Sequence, residues 1–489
     1  MRTYARLADS DLSRAIPFAV LSLVYVLLRL PFLDYGHGTD PDSWRVALAA
    51  HHLLDTGEYF PSRLPGNPLH EFVTTAFIPG GWIATNLSTL AASLAGVYLF
   101  ARIVRFHELP NAAVVVIGYA FAPLLFINSI ATMDYMWALT AILGAYYCQL
   151  TGRPLWAGVL LGAAMGFRLQ SFVVWLPLAY LAWRQDRVRD LAPLSLAAAG
   201  VTLLCFAPVL VVYGTDFFNY YDAKVNASEV VRLVGKEALG IVGAVGVLLA
   251  CLVSLPRFRR LPGDLVQDTA VGVWAAFIAV YAVSFTRLPH EIAYLIPVFP
   301  FGLLLLGRYL TRVAMAGAVA AILLAGVVDV TTPDEGFDTE AFRSATIGKG
   351  LILSNADTMD LQRKFVTEVT QADVPDHSVV MTGFIFPQLA VRERDRLDAR
   401  ILRRDYAGIS MLSDRGEAVD PSRDVRYVWL VDYNTYMALR DQGYAIFQVL
   451  DAARSTAALY DYRPGILGAA YLRLQQEAPA GEGAGSTDR

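Results

Sequence analysis

Two carboxylates, Asp40 and Asp42, lie in the polar stretch 36–45, directly after the first long apolar run of the chain. A carboxylate in such a place can take the proton of a hydroxyl group as a general base, or bind a divalent cation through its oxygen atoms. The same residues also suit a structural role. Asp40 followed by Pro41 is typical of a helix start, and Asp42 would add negative charge to the first turn.

Further candidates for chemistry share a position at or near the ends of apolar runs, on the same side of the predicted membrane as Asp40. They are Arg63, His70, Glu71, Asp134, Arg168, Arg287, His290, Glu291 and Tyr294. Ionisable groups at membrane depth are costly and tend to face a cavity or a partner, and a guanidinium group is well suited to phosphate. A structural alternative stays open for each, because arginines also snorkel to lipid headgroups.

The composition predicts an integral membrane protein. Of the 489 residues, 55% are hydrophobic and 17% charged, and the mean hydropathy is +0.44, values outside the soluble globular range. The charged residues cluster between apolar runs of about twenty residues, the length that crosses a bilayer. We predict about eleven transmembrane helices, at 15–33, 76–101, 111–128, 131–150, 154–166, 169–184, 192–213, 236–255, 267–285, 291–307 and 313–330.

The basic residues predict an orientation. With the N-terminus in the cytoplasm, fourteen arginines fall in cytoplasmic segments and six basic residues in the short loops opposite, which satisfies the positive-inside rule. This orientation places the Asp40 loop, and everything after residue 330, outside the cytoplasm. The predicted location is the plasma membrane or bacterial inner membrane.

The chain divides into a transmembrane part, 1–330, with an external loop at 34–75, and a soluble part at 331–476. We expect a helix from Asp40-Pro41 to Gly57 in the loop, and a break between two spans at Arg168. Alternating segments predict an extracytoplasmic α/β domain at 331–476. Its strands are expected at 378–382, 426–431 and 444–450, its helices at 356–371, 434–442 and 451–460, and a disordered tail at 477–489.

Several classes of function are disfavoured by the sequence. The net charge of −4 indicates no nucleic-acid partner. The chain has no Walker loop, no dinucleotide-type glycine turn and no Cys/His set with metal-binding spacing. Its three cysteines, Cys148, Cys205 and Cys251, fall inside apolar runs and predict no disulfide framework.

Four stretches resemble the GT-C-type integral membrane glycosyltransferases, a group that includes protein mannosyltransferases and aminoarabinose transferases. They are the acidic loop after Leu28-Arg29-Leu30, the segment Tyr59-Phe60-Pro61…Pro65-Gly66-Asn67-Pro68-Leu69, Asp134 before the fourth span, and the segment from Arg287 through His290-Glu291 and Tyr294 to Pro297. The likeness covers roughly residues 15–310. The chain departs from the family pattern at Ala293, where an Arg is common, and at the Asp-Pro-Asp sequence, where Asp-Glu is usual.

The resemblance implies transfer of a hexose or pentose from a polyprenyl-phosphate donor to an extracytoplasmic lipid, glycan or protein acceptor. Asp40, Asp42 and Asp134 would be catalytic, and Arg168, Arg287 and His290 would bind the donor phosphate. Arg63, His70, Glu71, Glu291 and Tyr294 would bind substrate. A divalent cation (Mg or Mn), if one is used, would sit on Asp40 and Asp134. The alternatives are a non-catalytic carrier or flippase of lipid-linked sugars, and a scaffold for envelope assembly.

Overall fold

A computed structural model of the chain describes residues 11–63, 65–214, 233–286, 291–331, 345–371, 378–381, 385–392, 401–404, 427–430, 455–463 and 469–476. The chain forms two compact units. The first is Met1–Thr39 with Ala49–Thr358, and the second is Asp40–Leu48 with Met359–Arg489. Each unit is described by itself.

The described part of the chain up to residue 331 is mainly helical. Its α-helices are α1 Ala15–Arg29, α2 Pro41–Thr56, α3 Pro68–Phe77, α4 Gly81–Phe106, α5 Ala112–Phe121, α6 Pro123–Asn128, α7 Tyr135–Leu150, α8 Pro154–Phe167, α9 Trp175–Arg184, α10 Leu191–Tyr213, α11 Ile241–Val253, α12 Leu255–Phe258, α13 Leu261–Gln267, α14 Thr269–Phe285, α15 Val298–Tyr309 and α16 Arg312–Ala325. Short 3₁₀ segments at Leu30–Tyr35, Leu169–Val174 and Ile292–Leu295 and a π-helical turn at Leu233–Ala238 join some of them.

Within the described residues, three helical segments are long and apolar enough to cross a membrane, namely Ala15–Tyr35, Pro68–Phe106 and Val188–Val212. The pair Ile241–Val253 and Leu255–Gln267 also qualifies when taken together, although it bends by 72°. Shorter apolar helices are α5, α8, α14, α15 and α16. The chain therefore has the long apolar helices of an integral membrane protein, whereas the number of spans, eleven, stays a prediction.

Several predicted boundaries are confirmed, and some are wrong. The helix after Asp40 runs over Pro41–Thr56 and ends at Gly57, whose φ of +74° favours glycine. The predicted span 111–128 is broken by Pro123 into α5 and α6. The predicted span 313–330 is also wrong in its last part, because α16 ends at Ala325 and the β-branched stretch Val328–Thr331 forms a strand.

A fully buried arginine stabilises the break between α5 and α6. The Nη2 of Arg29 donates to the carbonyl oxygen of Ala120 (2.8 Å), which lies in the last turn of α5, and its Nε donates to Ser129 Oγ (2.6 Å), at the end of α6. Its guanidinium carbon lies 3.5 Å from the ring centroid of Tyr25. Since no described carboxylate pairs with Arg29, the helix C-termini and the aromatic ring compensate its charge.

Helices α8 and α10 approach each other through glycines. A Cβ on Gly158 would lie 2.2 Å from the carbonyl oxygen of Leu194, and a Cβ on Gly162 would lie 2.7 Å from that of Ala198. The spacing of Gly158, Gly162 and Gly166 is the small-residue pattern typical of closely packed membrane helices. This contact fixes the C-terminal end of α8, which leads into Arg168.

The remaining described elements are β1 Val328–Thr331, β2 Thr346–Lys349, α17 Leu351–Gln371, β3 Ser378–Met381, α18 Phe386–Arg392, β4 Ile401–Arg404, β5 Tyr427–Leu430, β6 Ser455–Arg463 and β7 Ala469–Gln476. Strands β1 and β2 form an antiparallel pair. The other five form a sheet in the order β4-β3-β5-β7-β6, parallel from β4 to β5 and antiparallel from β5 to β6.

The sheet confirms the predicted strands near 378–382 and 426–431, and α17 confirms the predicted helix at 356–371 with an earlier start. The helix predicted at 451–460 is wrong over 455–460, where the chain is the start of β6. Pairing with β7 decides the structure there, because strand residues are stabilised by their cross-strand neighbours. The segments predicted at 434–442 and 444–450 lie outside the described residues.

Candidate active site

Separate stretches of the first unit supply the candidate site. Arg63 lies in the irregular loop between α2 and α3, and Asp134 directly precedes α7. Arg168 lies between α8 and the 3₁₀ segment Leu169–Val174, with an extended backbone that ends the helix (φ −155°, ψ 108°). Tyr294 belongs to the 3₁₀ segment Ile292–Leu295. The predicted break at Arg168 is therefore confirmed.

Asp134 is fully buried and pairs with two arginines. The Nη1 of Arg168 donates to its Oδ2 at 2.7 Å, and the Nη2 of Arg63 donates to its Oδ1 at 3.2 Å. Side-chain exposure is 0% for Asp134, 14% for Arg168 and 24% for Arg63. Arg63, Asp134 and Arg168 thus form a triad of two cations and one anion with a net positive charge. Its arginines are the members that solvent or a ligand can reach.

Two tyrosine rings flank the guanidinium group of Arg168. Its Cζ lies 4.4 Å from the ring centroid of Tyr135 and 4.5 Å from that of Tyr294. The two ring centroids are 6.3 Å apart and the ring planes are inclined at 47°, so the lines from Cζ to the two centroids make roughly a right angle. The rings form a V-shaped aromatic cradle, in which cation–π attraction holds the arginine.

One edge of Arg168 remains available for an anion. Within the described ranges, no residue accepts a hydrogen bond from the buried Nε or from Nη2. The Nε and Nη2 hydrogens point in parallel from one edge of a guanidinium group, which matches two oxygen atoms of a phosphate or carboxylate. The arrangement can therefore bind a tetrahedral oxyanion in two-point fashion.

His70 and Glu71 lie at the start of α3, and both are buried. The His70 ring packs edge-on to Trp137, with ring centroids 6.4 Å apart. Glu71 accepts hydrogen bonds from the Tyr59 hydroxyl (2.5 Å), the Ser62 hydroxyl (2.6 Å) and the Ser62 backbone N–H (2.8 Å). Glu71 thus anchors the irregular loop that carries Arg63.

A buried polar network fixes the turn that precedes Asp134. The Thr132 hydroxyl lies 2.8 Å from His37 Nδ1 and from the Thr85 hydroxyl, and it donates to Asn86 Oδ1 at 2.9 Å. The Thr132 N–H also donates to the carbonyl oxygen of His37 (2.7 Å). Burial lowers the pKa of His37 to about 3, with a smaller contribution from His51, so the imidazole stays neutral near pH 7.

Asp40 and Asp42 lie at the N-terminus of α2. Asp40 Oδ1 accepts from the Asp42 backbone N–H at 2.8 Å, and the Asp40 carbonyl oxygen accepts from the Ser43 hydroxyl at 2.6 Å. The Asp42 carboxylate pairs with Arg45 at 2.8 Å. Asp40 therefore caps the helix, as its sequence context predicts, and such a cap keeps its carboxylate in a fixed orientation.

The last predicted cluster is described only in part. Arg287 and His290 lie outside the described residues. Glu291 accepts from the Ala293 backbone N–H (3.4 Å) and caps the short helix that carries Tyr294. Of the predicted site residues, those that the first unit brings together around one centre are Arg63, His70, Asp134, Arg168 and Tyr294.

The triad does not fit a divalent cation. Both oxygens of Asp134 already accept from guanidinium groups, whose charges repel a metal ion. Among the described residues, no group of three or more His, Cys, Asp and Glu side chains has an arrangement that could hold one. Metal binding at Asp40 stays a prediction.

The residues that sequence reasoning missed are Tyr135 and the network of Thr85, Asn86 and Thr132. Tyr135 follows Asp134 directly, so one turn supplies both the anion and one ring to Arg168. That adjacency was a signal in the sequence. The network gave none, since its members are hydroxyl and amide side chains inside apolar runs.

No protein-family model matches the chain, and no curated protein matches its sequence. Its fold resembles that of ArnT from Cupriavidus metallidurans, an aminoarabinose transferase of the GT-C type. The crystal structure of ArnT in the apo state has a TM-score of 0.54 and 14% identity, with 93% of this chain and 97% of that chain covered. The crystal structure of ArnT bound to undecaprenyl phosphate has a TM-score of 0.55 and 15% identity, with 94% of this chain and 98% of that chain covered. The resemblance predicted from the motifs is thus confirmed at the level of the fold.

Proposed function

We propose that the chain is an integral membrane glycosyltransferase of the GT-C type, which moves a sugar from a polyprenyl-phosphate carrier to an acceptor outside the cytoplasm. The observation that carries this proposal is the buried Nε of Arg168, which like its Nη2 has no hydrogen-bond acceptor among the described residues, in a triad of net positive charge. A fold similar to that of a transferase crystallised with undecaprenyl phosphate supports a lipid phosphate as the ligand.

In this proposal Arg168 binds the donor phosphate through Nε and Nη2, and Arg63 adds positive charge to the same region. When the bond between the anomeric carbon and the phosphate oxygen breaks, its electron pair remains on the phosphate. Fixed cations stabilise the charge that develops there. Arg287 and His290 are proposed to contribute to the same stabilisation.

The acceptor hydroxyl attacks the anomeric carbon with inversion, and its proton passes to a carboxylate acting as general base. We assign this role to Asp40, whose carboxylate is held in orientation at the N-terminus of α2, whereas the Asp42 carboxylate forms an ion pair with Arg45. Asp134 is assigned a positioning role, since both of its oxygens hold arginines. His70, Glu71 and Glu291 then shape the site around the substrate.

The proposal also includes the topology and the acceptor. We place the protein in the inner or plasma membrane, with its N-terminus in the cytoplasm and the Asp40 loop outside. The 331–476 segment is proposed to be an extracytoplasmic α/β domain that contributes to the choice of a lipid, glycan or protein acceptor. The transferred sugar is a hexose or a pentose.

A transfer assay with the purified full-length chain tests the proposal. A panel of undecaprenyl-phosphate hexoses and pentoses is offered together with extracted envelope lipids and glycans, and the release of undecaprenyl phosphate is measured. Asp40→Asn is expected to reduce release by about a hundredfold or more, the usual contribution of a general base. Asp55→Asn, an exposed aspartate at the other end of the same helix, serves as the matched control. The proposal would be contradicted if the wild type released undecaprenyl phosphate from none of the donors, or if Asp40→Asn released it as fast as the wild type.

A further inference from the structure

We propose that Tyr135 and Tyr294 are positioning residues that hold Arg168 ready for the lipid phosphate, and that their rings rather than their hydroxyl groups do this. The inference rests on the proposed function, and it assigns Tyr294 a role other than direct contact with the sugar. Its basis is the aromatic cradle, in which both ring centroids lie within 4.5 Å of Cζ.

An isolated arginine would have to lose much rotamer freedom when it binds an anion. In this site the freedom is already removed. Asp134 fixes the Nη1 corner of the guanidinium group (2.7 Å), and the two rings flank its carbon atom. The Nε–Nη2 edge is therefore presented in one orientation before the ligand arrives, and preorganisation of this kind increases affinity by lowering the cost of ordering.

The two rings of the aromatic cradle are held by two separate elements of the fold. Tyr135 is buried and is the first residue of α7, next to Asp134. Tyr294 is half-buried and lies in a 3₁₀ segment that Glu291 caps. Because the two rings come from elements far apart in sequence, the orientation of Arg168 depends on how these elements pack, and replacing either ring should loosen it.

The test is the binding of undecaprenyl phosphate, with undecaprenol as the probe that lacks the phosphate, measured by native mass spectrometry on the full chain in detergent. Tyr294→Leu and Tyr135→Leu are expected to bind undecaprenyl phosphate about tenfold more weakly, given the typical strength of a cation–π contact. Tyr294→Phe and Tyr135→Phe keep the ring and are expected to stay within about twofold of the wild type.

Arg168→Gln provides the matched background. If Tyr294 acts only through Arg168, Tyr294→Leu should cause no further loss of affinity in that background. Thermal unfolding of each variant separates misfolding from a local effect. Because Tyr294 is half-buried and Tyr135 is buried, replacing Tyr294 should disturb folding less than replacing Tyr135.

The outcomes are distinct. Equal losses in the Leu and Phe variants would mean that the hydroxyl groups contact the ligand, and the cradle would be rejected. Unchanged binding in the Leu variants would reject it too. A wild type that does not distinguish undecaprenyl phosphate from undecaprenol would overturn the donor site itself and the cradle with it.

Discussion

Asp134 is the residue on which the electrostatics of the candidate site depends. A buried carboxylate is costly unless it is paired, and here two arginines from different elements pair with it at 2.7 and 3.2 Å. The arrangement places positive charge at the surface of the triad and negative charge in its interior. Asp134, which the sequence suggests as catalytic, is thereby better explained as the anchor of two arginine side chains.

At the scale of single residues, the buried His37 gives a prediction about stability and pH. Its pKa is about 3 in the folded chain and near 6.5 when unfolded, so between these values the unfolded state binds more protons. Stability therefore falls as the pH drops below about 6.5. In His37→Asn, whose amide can replace Nδ1 in the network, the dependence of unfolding free energy on pH should be shallower by about 1 kcal/mol per pH unit.

Chemical unfolding in detergent at pH 6.5 and pH 4.5 checks this. His52→Asn, at an exposed histidine of α2, is the matched control variant. A His37→Asn variant with the same slope as the wild type would show that His37 is not buried as a neutral imidazole.

At the scale of elements, the glycines of α8 determine where Arg168 lies. Gly158 and Gly162 let α8 contact the backbone of α10, and Arg168 follows the last turn of the same helix. The Cβ of any larger residue would meet backbone atoms that cannot move without separating the helices. The packing of two helices thus fixes a residue that neither helix contains.

Gly158→Ala should therefore be strongly destabilising, by about 3 kcal/mol, the upper range for overpacking a tight contact. Gly200→Ala is the matched control on α10, since nothing lies within 4 Å of its Cβ position, and it should be neutral or stabilising by up to about 1 kcal/mol through helix propensity. Thermal or chemical unfolding of both variants measures the difference. Similar stabilities for the two would indicate that α8 and α10 do not meet at Gly158.

The sequence predicts some elements much better than others, for physical reasons. The start of α2 at Asp40-Pro41 and the break at Arg168 are encoded locally, by a cap, a proline and a charged residue inside an apolar run. By contrast, the local sequence predicts a helix over 455–460, the first part of β6, because strand pairing with β7 is not visible in local sequence. The ionisable residues near Tyr294 and the motif resemblance both pointed to that segment, but the proximity of Tyr294 to Arg168 depends on tertiary packing.

At the scale of the molecule, the fold remains similar to that of ArnT at only 14–15% sequence identity. Apolar helices tolerate this divergence, because one aliphatic side chain facing lipid can replace another. Ionisable groups in such a setting must be compensated, and in the first unit the described triad achieves this while leaving one edge of Arg168 for a ligand. The use of that edge is the central claim about this protein.

The binding of undecaprenyl phosphate to wild type and Arg168→Lys tests this claim most directly. Lysine keeps the charge and can still pair with Asp134, but it lacks the two parallel donors of the guanidinium edge. We predict that the wild type binds undecaprenyl phosphate more tightly than undecaprenol and that Arg168→Lys loses affinity for the phosphate lipid by about tenfold. Equal affinity of the wild type for the two lipids, or full affinity in Arg168→Lys, would contradict the account.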